Sequence, residues 1–118
     1  MSAETTLYAT LSAASAVTAL VSTRIYPDVV PQEAAVPCIA FARIATEYVA
    51  TIHGAVVAQR VTLDISCMAS TRASAETIAN AVTNAATPAA FLLSGRRADF
   101  DPESGLWAAV LTVDYWQL

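Results

Sequence analysis

The sequence predicts an α+β fold in the order α-β-β-α-β-β: a largely antiparallel four-stranded sheet with two helices packed on one face. Three observations lead there. An apolar stripe at helical spacing opens the chain, with Leu7, Leu11, Ala14, Val17 and Val21 at steps of three and four. A strict alternation occupies the middle, with Val61, Leu63, Ile65 and Cys67 in one phase and Arg60, Thr62, Asp64 and Ser66 in the other. A second helical stripe, Ala75, Ile78, Ala79, Val82 and Ala86, separates two pairs of strand-like runs. The order is also a circular shift of the β-α-β-β-α-β split arrangement, so a similar sandwich is expected. A chain of 118 residues suits one domain spanning 1–118 and can bury a core without staples.

The first helix is expected over 3–22, with Ser2 as its N-cap and Glu4 in the first turn, where a carboxylate suits the helix dipole. The stretch Arg24 to Phe41 follows. Its prolines, Pro27, Pro31 and Pro37, each fix φ, remove a donor and push the preceding residue toward extended backbone. It therefore reads as an extended surface connection that delivers the chain into an apolar strand, Cys38 to Val49. A loose stretch from Ala50 to Ala58, turning at Gly54, leads to the strand Gln59 to Met68, and the two strands form an antiparallel hairpin.

Ser70 or Thr71 can cap the second helix, which runs to about Ala86 and is stopped by Thr87-Pro88. Phe91 to Phe100 and Leu106 to Gln117 are the last two strands, joined by a turn at Asp101-Pro102-Glu103-Ser104-Gly105.

Composition narrows the function. Hydrophobic residues make up 56% of the chain and charged residues 14%, against about 25% charged in an average globular domain. Burial of spare apolar surface between subunits explains this, and so does a high alanine content, since alanine buries little. The net charge is −4 with no lysine, a poor balance for a nucleic-acid binder that must neutralise phosphates. No basic, apolar leader and no run of about 18 apolar residues is visible, so neither a signal peptide nor a membrane span is expected.

Chemistry is hard to find. Gly54, Gly95 and Gly105 are isolated, so no phosphate-cradling loop is formed. His53, the single histidine, sits at an expected loop tip with no nucleophile or carboxylate placed beside it. Cys38 and Cys67 lie in apolar strands without metal-ligand spacing, and buried free thiols are the default reading. Asp99, Asp101 and Glu103 lack the glycine and distal glutamate of a calcium loop. Asp64 falls on the same strand face as Arg60, as an exposed ion pair or a subunit contact. No catalytic, cofactor or metal site is expected, and the chain does not read as an enzyme.

The last strand is apolar on both sides. Trp107, Ala109, Leu111, Val113 and Tyr115 form one set; Leu106, Ala108, Val110 and Trp116 form the other, interrupted by Thr112 and Asp114. A strand of this kind wants cover on both faces. Either loops supply it or the second face is a subunit interface. With the loop from Ala50 to Ala58, the candidate interface residues are His53, Val56, Val57, Arg60, Asp64, Trp107, Tyr115 and Trp116.

The run Arg24-Ile25-Tyr26-Pro27, then Pro31-Gln32, then Val36-Pro37-Cys38-Ile39-Ala40-Phe41, resembles the opening of the tail-completion or tail-terminator proteins of long-tailed phages. The strand Arg60-Val61-Thr62-Leu63-Asp64-Ile65, the helix from Thr71 and the ending Asp114-Tyr115-Trp116 are similar too, so the resemblance covers nearly the whole chain. It implies a structural virion protein, assembled in the bacterial host cytoplasm, that forms a homohexameric ring on the head-proximal end of the tail tube. The implied partners are itself, the tail tube protein and the head–tail connector, with DNA passing through the ring unbound; gene transfer agents carry similar proteins. Two alternatives stay open: a neck or head-completion connector, and a dimeric α+β module that binds a small ligand.

Overall fold

The computed structural model describes residues 3–22, 24–27, 36–50, 54, 56–102 and 105–117, with Val56, Val57 and Gln117 described by backbone alone. The expected cap Ser2, the histidine His53 and the segment containing Pro31 lie outside these residues. The elements are α1 (Ala3–Ala13), α2 (Ser15–Val21), β1 (Ile25–Pro27), β2 (Cys38–Ala50), β3 (Val56–Ala69), α3 (Arg72–Ala86), a 3-10 turn at Thr87–Ala89, β4 (Leu92–Asp101) and β5 (Leu106–Gln117).

The sheet has five strands in the order β1-β2-β3-β5-β4. Its four long strands are antiparallel throughout and run in the order that the circular shift of the split arrangement requires. The α+β expectation therefore stands, with two corrections. The first is a fifth strand: Ile25–Pro27 pairs parallel to Ile39–Phe41, and the Ile39 N–H donates to Arg24 O at 2.9 Å. The proline segment is extended here, as expected, but it joins the sheet. Three residues are too few to show an alternation, and Pro27, which has no N–H, suits the outer position. Arg24 ties the segment down by donating Nε to Pro37 O at 2.8 Å, beside a cis Val36–Pro37 bond.

The second correction concerns the first helix. It is two helices, broken at Ala14, whose φ −81° and ψ 112° are extended. Both pieces bury the expected stripe, Leu7 and Leu11 before the break and Val17 and Val21 after it. A one-residue break that leaves the apolar positions facing the sheet is invisible to periodicity. The strands also reach further than expected. β2 ends at Ala50 and β3 begins at Val56, so part of the expected loop is ladder, with Ala50 opposite Val56. Gly54, at φ +85°, lies in the left-handed region expected of a turn glycine.

All three helices lie on one side of the sheet. The core there joins Leu7, Leu11, Val17 and Val21 to Ile39, Phe41, Val61, Leu63, Ile65, Leu111 and Val113, and to Ile78 and Val82 of α3. Thr71 caps α3 by accepting the Ser74 N–H at 3.2 Å. At the other end of α3, the Phe91 N–H donates to Ala86 O at 3.2 Å. Ala90, at φ 70°, reverses the chain, and Phe91 enters the core and stacks on Tyr115 with ring centroids 4.5 Å apart.

Leu63 stands at the centre of this core with no exposed surface. Leu63→Ala is expected to lower the unfolding free energy by about 2–5 kcal/mol in urea titrations, and Thr71→Ala by about 1 kcal/mol. A Leu63→Ala loss smaller than that of the cap variant would contradict the assigned core.

Candidate assembly surface

The sheet face away from the helices is built by the outward phases of four long strands. Cross-strand register places Glu47 beside Arg60, Arg60 beside Trp116, Thr62 beside Asp114, and Asp64 beside Thr112. On β4, Arg97 lies opposite Val110 and Asp99 opposite Ala108 in the same phase. The centre of the face is a reciprocal pair of hydroxyl–carboxylate bonds. Thr62 Oγ1 donates to Asp114 Oδ1 at 2.7 Å, and Thr112 Oγ1 donates to Asp64 Oδ1 at 2.8 Å. Hydrogen bonds to an ionised acceptor are the stronger kind, and these two tie β3 to β5 from the side opposite the core.

Charge pairs flank this centre. Arg60 Nη2 meets Glu47 Oε1 at 2.6 Å. Arg97 reaches Asp64 Oδ2 at 3.7 Å and Asp99 Oδ2 at 3.5 Å. Asp64 and Arg60 share a face, as the alternation predicted, but they are not each other's partners. Four residues of strand separate them by about 13 Å, too far for an ion pair, so Arg60 pairs with Glu47 on adjacent β2 and Asp64 with Arg97 on β4, across β5. Arg60 Nε is buried with no hydrogen-bond partner among the described residues.

The expected interface residues divide between the two faces. Trp116 is on the open face and 46% exposed. Trp107 and Tyr115 pack instead against the helix-side core. Trp107 contacts the Phe100 ring at 4.7 Å and lies 5.9 Å beneath the Arg72 guanidinium. Tyr115 is held by Phe91. The side chains of His53, Val56 and Val57 lie outside the described residues. The open face is more polar than β5 alone indicated, because β3 and β4 place Arg60, Thr62, Asp64, Arg97 and Asp99 across it. What the sequence did not single out is the sheet's two outer edges, where Ile44, Tyr48, Val49, Leu92, Leu93 and Phe100 are exposed. Strand order sets those edges, and no local pattern carries strand order.

Other chemistry is sparse. Among the described residues no three His, Cys, Asp or Glu side chains cluster to hold a metal ion, and no helix is long and apolar enough to cross a membrane. A groove of about 290 Å³ between α1 and the β1–β2 edge is lined by Glu4, Thr5, Tyr8, Pro27 and Phe41. Glu4 at its rim accepts from Arg43 Nε at 2.9 Å. Cys38 and Cys67 are free and buried, and their register puts them on opposite faces of the sheet. Burial raises both thiols, that of Cys67 to about 12.

The fold and this surface define an α+β module that presents a broad sheet and its edges. Residues 5–118 match the family model of the tail completion protein gp17, and the chain belongs to that family of phage tail structural proteins. A chain in the structure titled "Virion of native gene transfer agent (GTA) particle" shares the fold, with a TM-score of 0.74 at 19% identity over 95% of this chain and 91% of that one. No curated protein matches the chain at a significant level.

The raised Cys67 thiol makes a test of the described packing. Its protonated form is favoured in the fold, so its contribution to stability is full below pH 9.0, the thiol's ordinary value, and is lost as pH rises toward 12. Wild type is expected to lose stability across that range more steeply than Cys67→Ala in urea titrations. At pH 8, alkylation of folded Cys67 should be slower than that of the unfolded chain by roughly a thousandfold. Equal rates would show that the thiol is accessible.

Proposed function

We propose that the protein is a virion component that forms a homomeric ring, six copies in one turn, at the head-proximal end of a tail tube. There it ends tube polymerisation and presents a surface to the head–tail connector. The family match over residues 5–118 is the observation that carries this reading. The fold shared with a chain from a gene transfer agent particle supports it. So does a surface on which most of the exposed large apolar side chains, Ile44, Tyr48, Val49, Leu92, Leu93 and Phe100, lie on β2 and β4.

The charge balance fits a channel for DNA. Six copies of a chain at −4 carry −24 (6 × −4). An acidic ring offers phosphates no counterion-releasing contact, so DNA passes without being held. In this reading the stretch 50–58, which includes His53, and the last strand make the subunit and tube contacts. If the ring binds the portal side alone, the protein is a neck component, and it will co-purify with connector and not with tube protein.

Light scattering after gel filtration, over a concentration series and with tail tube protein from the same particle added, tests the proposal. The expected mass is six times the 12.4 kDa chain, reached alone or on addition of tube protein. A stable dimer at every concentration, indifferent to tube protein, would contradict it.

A further inference from the structure

We infer that copies of this chain join edge to edge, so that β4 of one copy adds to the free half of β2 in the next and the two sheets become one. The inference rests on the reading above that copies associate, and it names the surface they use.

Both edges are open among the described residues. β1 pairs with β2 only at Ile39, Ala40 and Phe41, which leaves Ala42–Ala50 without an outer neighbour. β4 has β5 on one side and no strand on the other. The two edges match in length, nine residues on β2 against ten on β4. They also match in sense. β2, β3, β5 and β4 alternate in direction, so β4 laid against the outer side of another copy's β2 is antiparallel to it. A join between two different edges is head-to-tail, the arrangement that closes into a ring.

The hydrogen-bond phase of each edge can be read from its inner side. Ile39 turns its N–H outward, to Arg24 O. The bulge between Arg43 and Ala45 shifts that phase, so Thr46 and Tyr48 are the residues whose N–H and C=O point away from β3. On the other edge, Thr112 O is turned toward β4, where it accepts Ser94 Oγ at 3.1 Å. Gly95, Arg97 and Asp99 therefore face β5, and Arg96, Ala98 and Phe100 offer their backbone groups outward. Thr46 and Tyr48 lie on the helix side of their sheet, and so do Arg96, Ala98 and Phe100. Pairing these two sets satisfies the outward groups and keeps the helices of both copies on one face.

Charge selects the register. With Thr46 opposite Ala98 and Tyr48 opposite Arg96, Glu47 meets Arg97 on the open face, opposite in sign and directly across the join. The same register brings Phe100 of the second copy, 48% exposed in the single chain, to the level of Ile44, beside the groove that Tyr8, Pro27 and Phe41 line. β4 then ends opposite Arg43, short of Phe41, where Pro27 ends β1, so the two do not compete for β2. The bulges at Arg43/Ala45 and Leu93/Gly95 restrict slippage to other registers.

A disulfide across the join tests this. Facing residues of a hydrogen-bonded antiparallel pair lie about 5.5 Å apart at Cα, within disulfide reach. The chain carrying both Thr46→Cys and Ala98→Cys, oxidised at high concentration, should give a covalent ladder of multimers. Each single variant, which keeps the buried Cys38 and Cys67, should give none. Ala98→Pro, which removes an outward N–H that the single chain does not use, should keep the wild-type circular dichroism spectrum and lose association. A doubly substituted chain that stays uncross-linked while wild type forms rings would overturn the edge join and leave the ring standing. Cross-linked chains that never close would support the join and count against the ring.

Discussion

The antiparallel pairing of β3 with β5 is the constraint on which the rest depends. It runs from Gln59–Gln117 to Ala69–Trp107 without a break in register, the only one of the three long pairings free of a bulge. Its helix side carries Val61, Leu63, Ile65 and Cys67 against Ala109, Leu111 and Val113, and that surface dictates where the helices must lie. Its other side is locked by the reciprocal Thr62–Asp114 and Thr112–Asp64 bonds. A one-residue slip would move every one of these side chains to the wrong face. The register is thus determined from both sides at once, by apolar burial and by charge-assisted hydrogen bonds.

A central pair so strongly specified pushes variability outward. β2 and β4 each carry a bulge, each is open on its outer side (β2 beyond Phe41), and together they carry most of the sheet's exposed large apolar side chains. An open edge is a hazard for a monomer, because its unpaired backbone groups invite any extended chain. For an assembling protein the same edge is useful, provided that it accepts one partner in one register. In the proposed join the bulges and the opposed charges of Glu47 and Arg97 serve that end. The open face, by contrast, pairs Thr62 with Asp114, Thr112 with Asp64 and Arg60 with Glu47, and among the described residues Arg60 Nε is the buried side-chain polar atom without a partner. A face of paired threonines, aspartates and arginines gains little by burial against protein.

Much of the fold was legible in the sequence, because the strongest local patterns were also the globally dominant ones. The alternation from Arg60 to Cys67 assigned both faces of β3 correctly, and the stripes of α1, α2 and α3 named the residues that are buried. The final strand Leu106–Gln117 was equally plain, and of the two offered caps, Ser70 and Thr71, the helix uses Thr71. What was hidden has physical reasons. β1 is three residues long, below the length at which period two can be seen. The Ala14 break preserves the apolar face. The partners of Arg60 and Asp64 lie on other strands, and spacing along one strand cannot name them. Trp107 and Tyr115 could be assigned to the helix side of β5, but their exposure depended on Phe100, Arg72 and Phe91 arriving from elsewhere. The edges, where the exposed apolar residues gather, depend on strand order alone.

Hydrogen exchange by mass spectrometry, on the free chain and on the chain assembled in tails, bears most directly on the claim that the sheet edges are where copies meet. The account predicts that peptides covering 42–50 and 92–101 gain protection on assembly, while the already protected β3 and β5 change little. Protection confined to other segments, with both edges exchanging as fast in the tail as in the free chain, would contradict it.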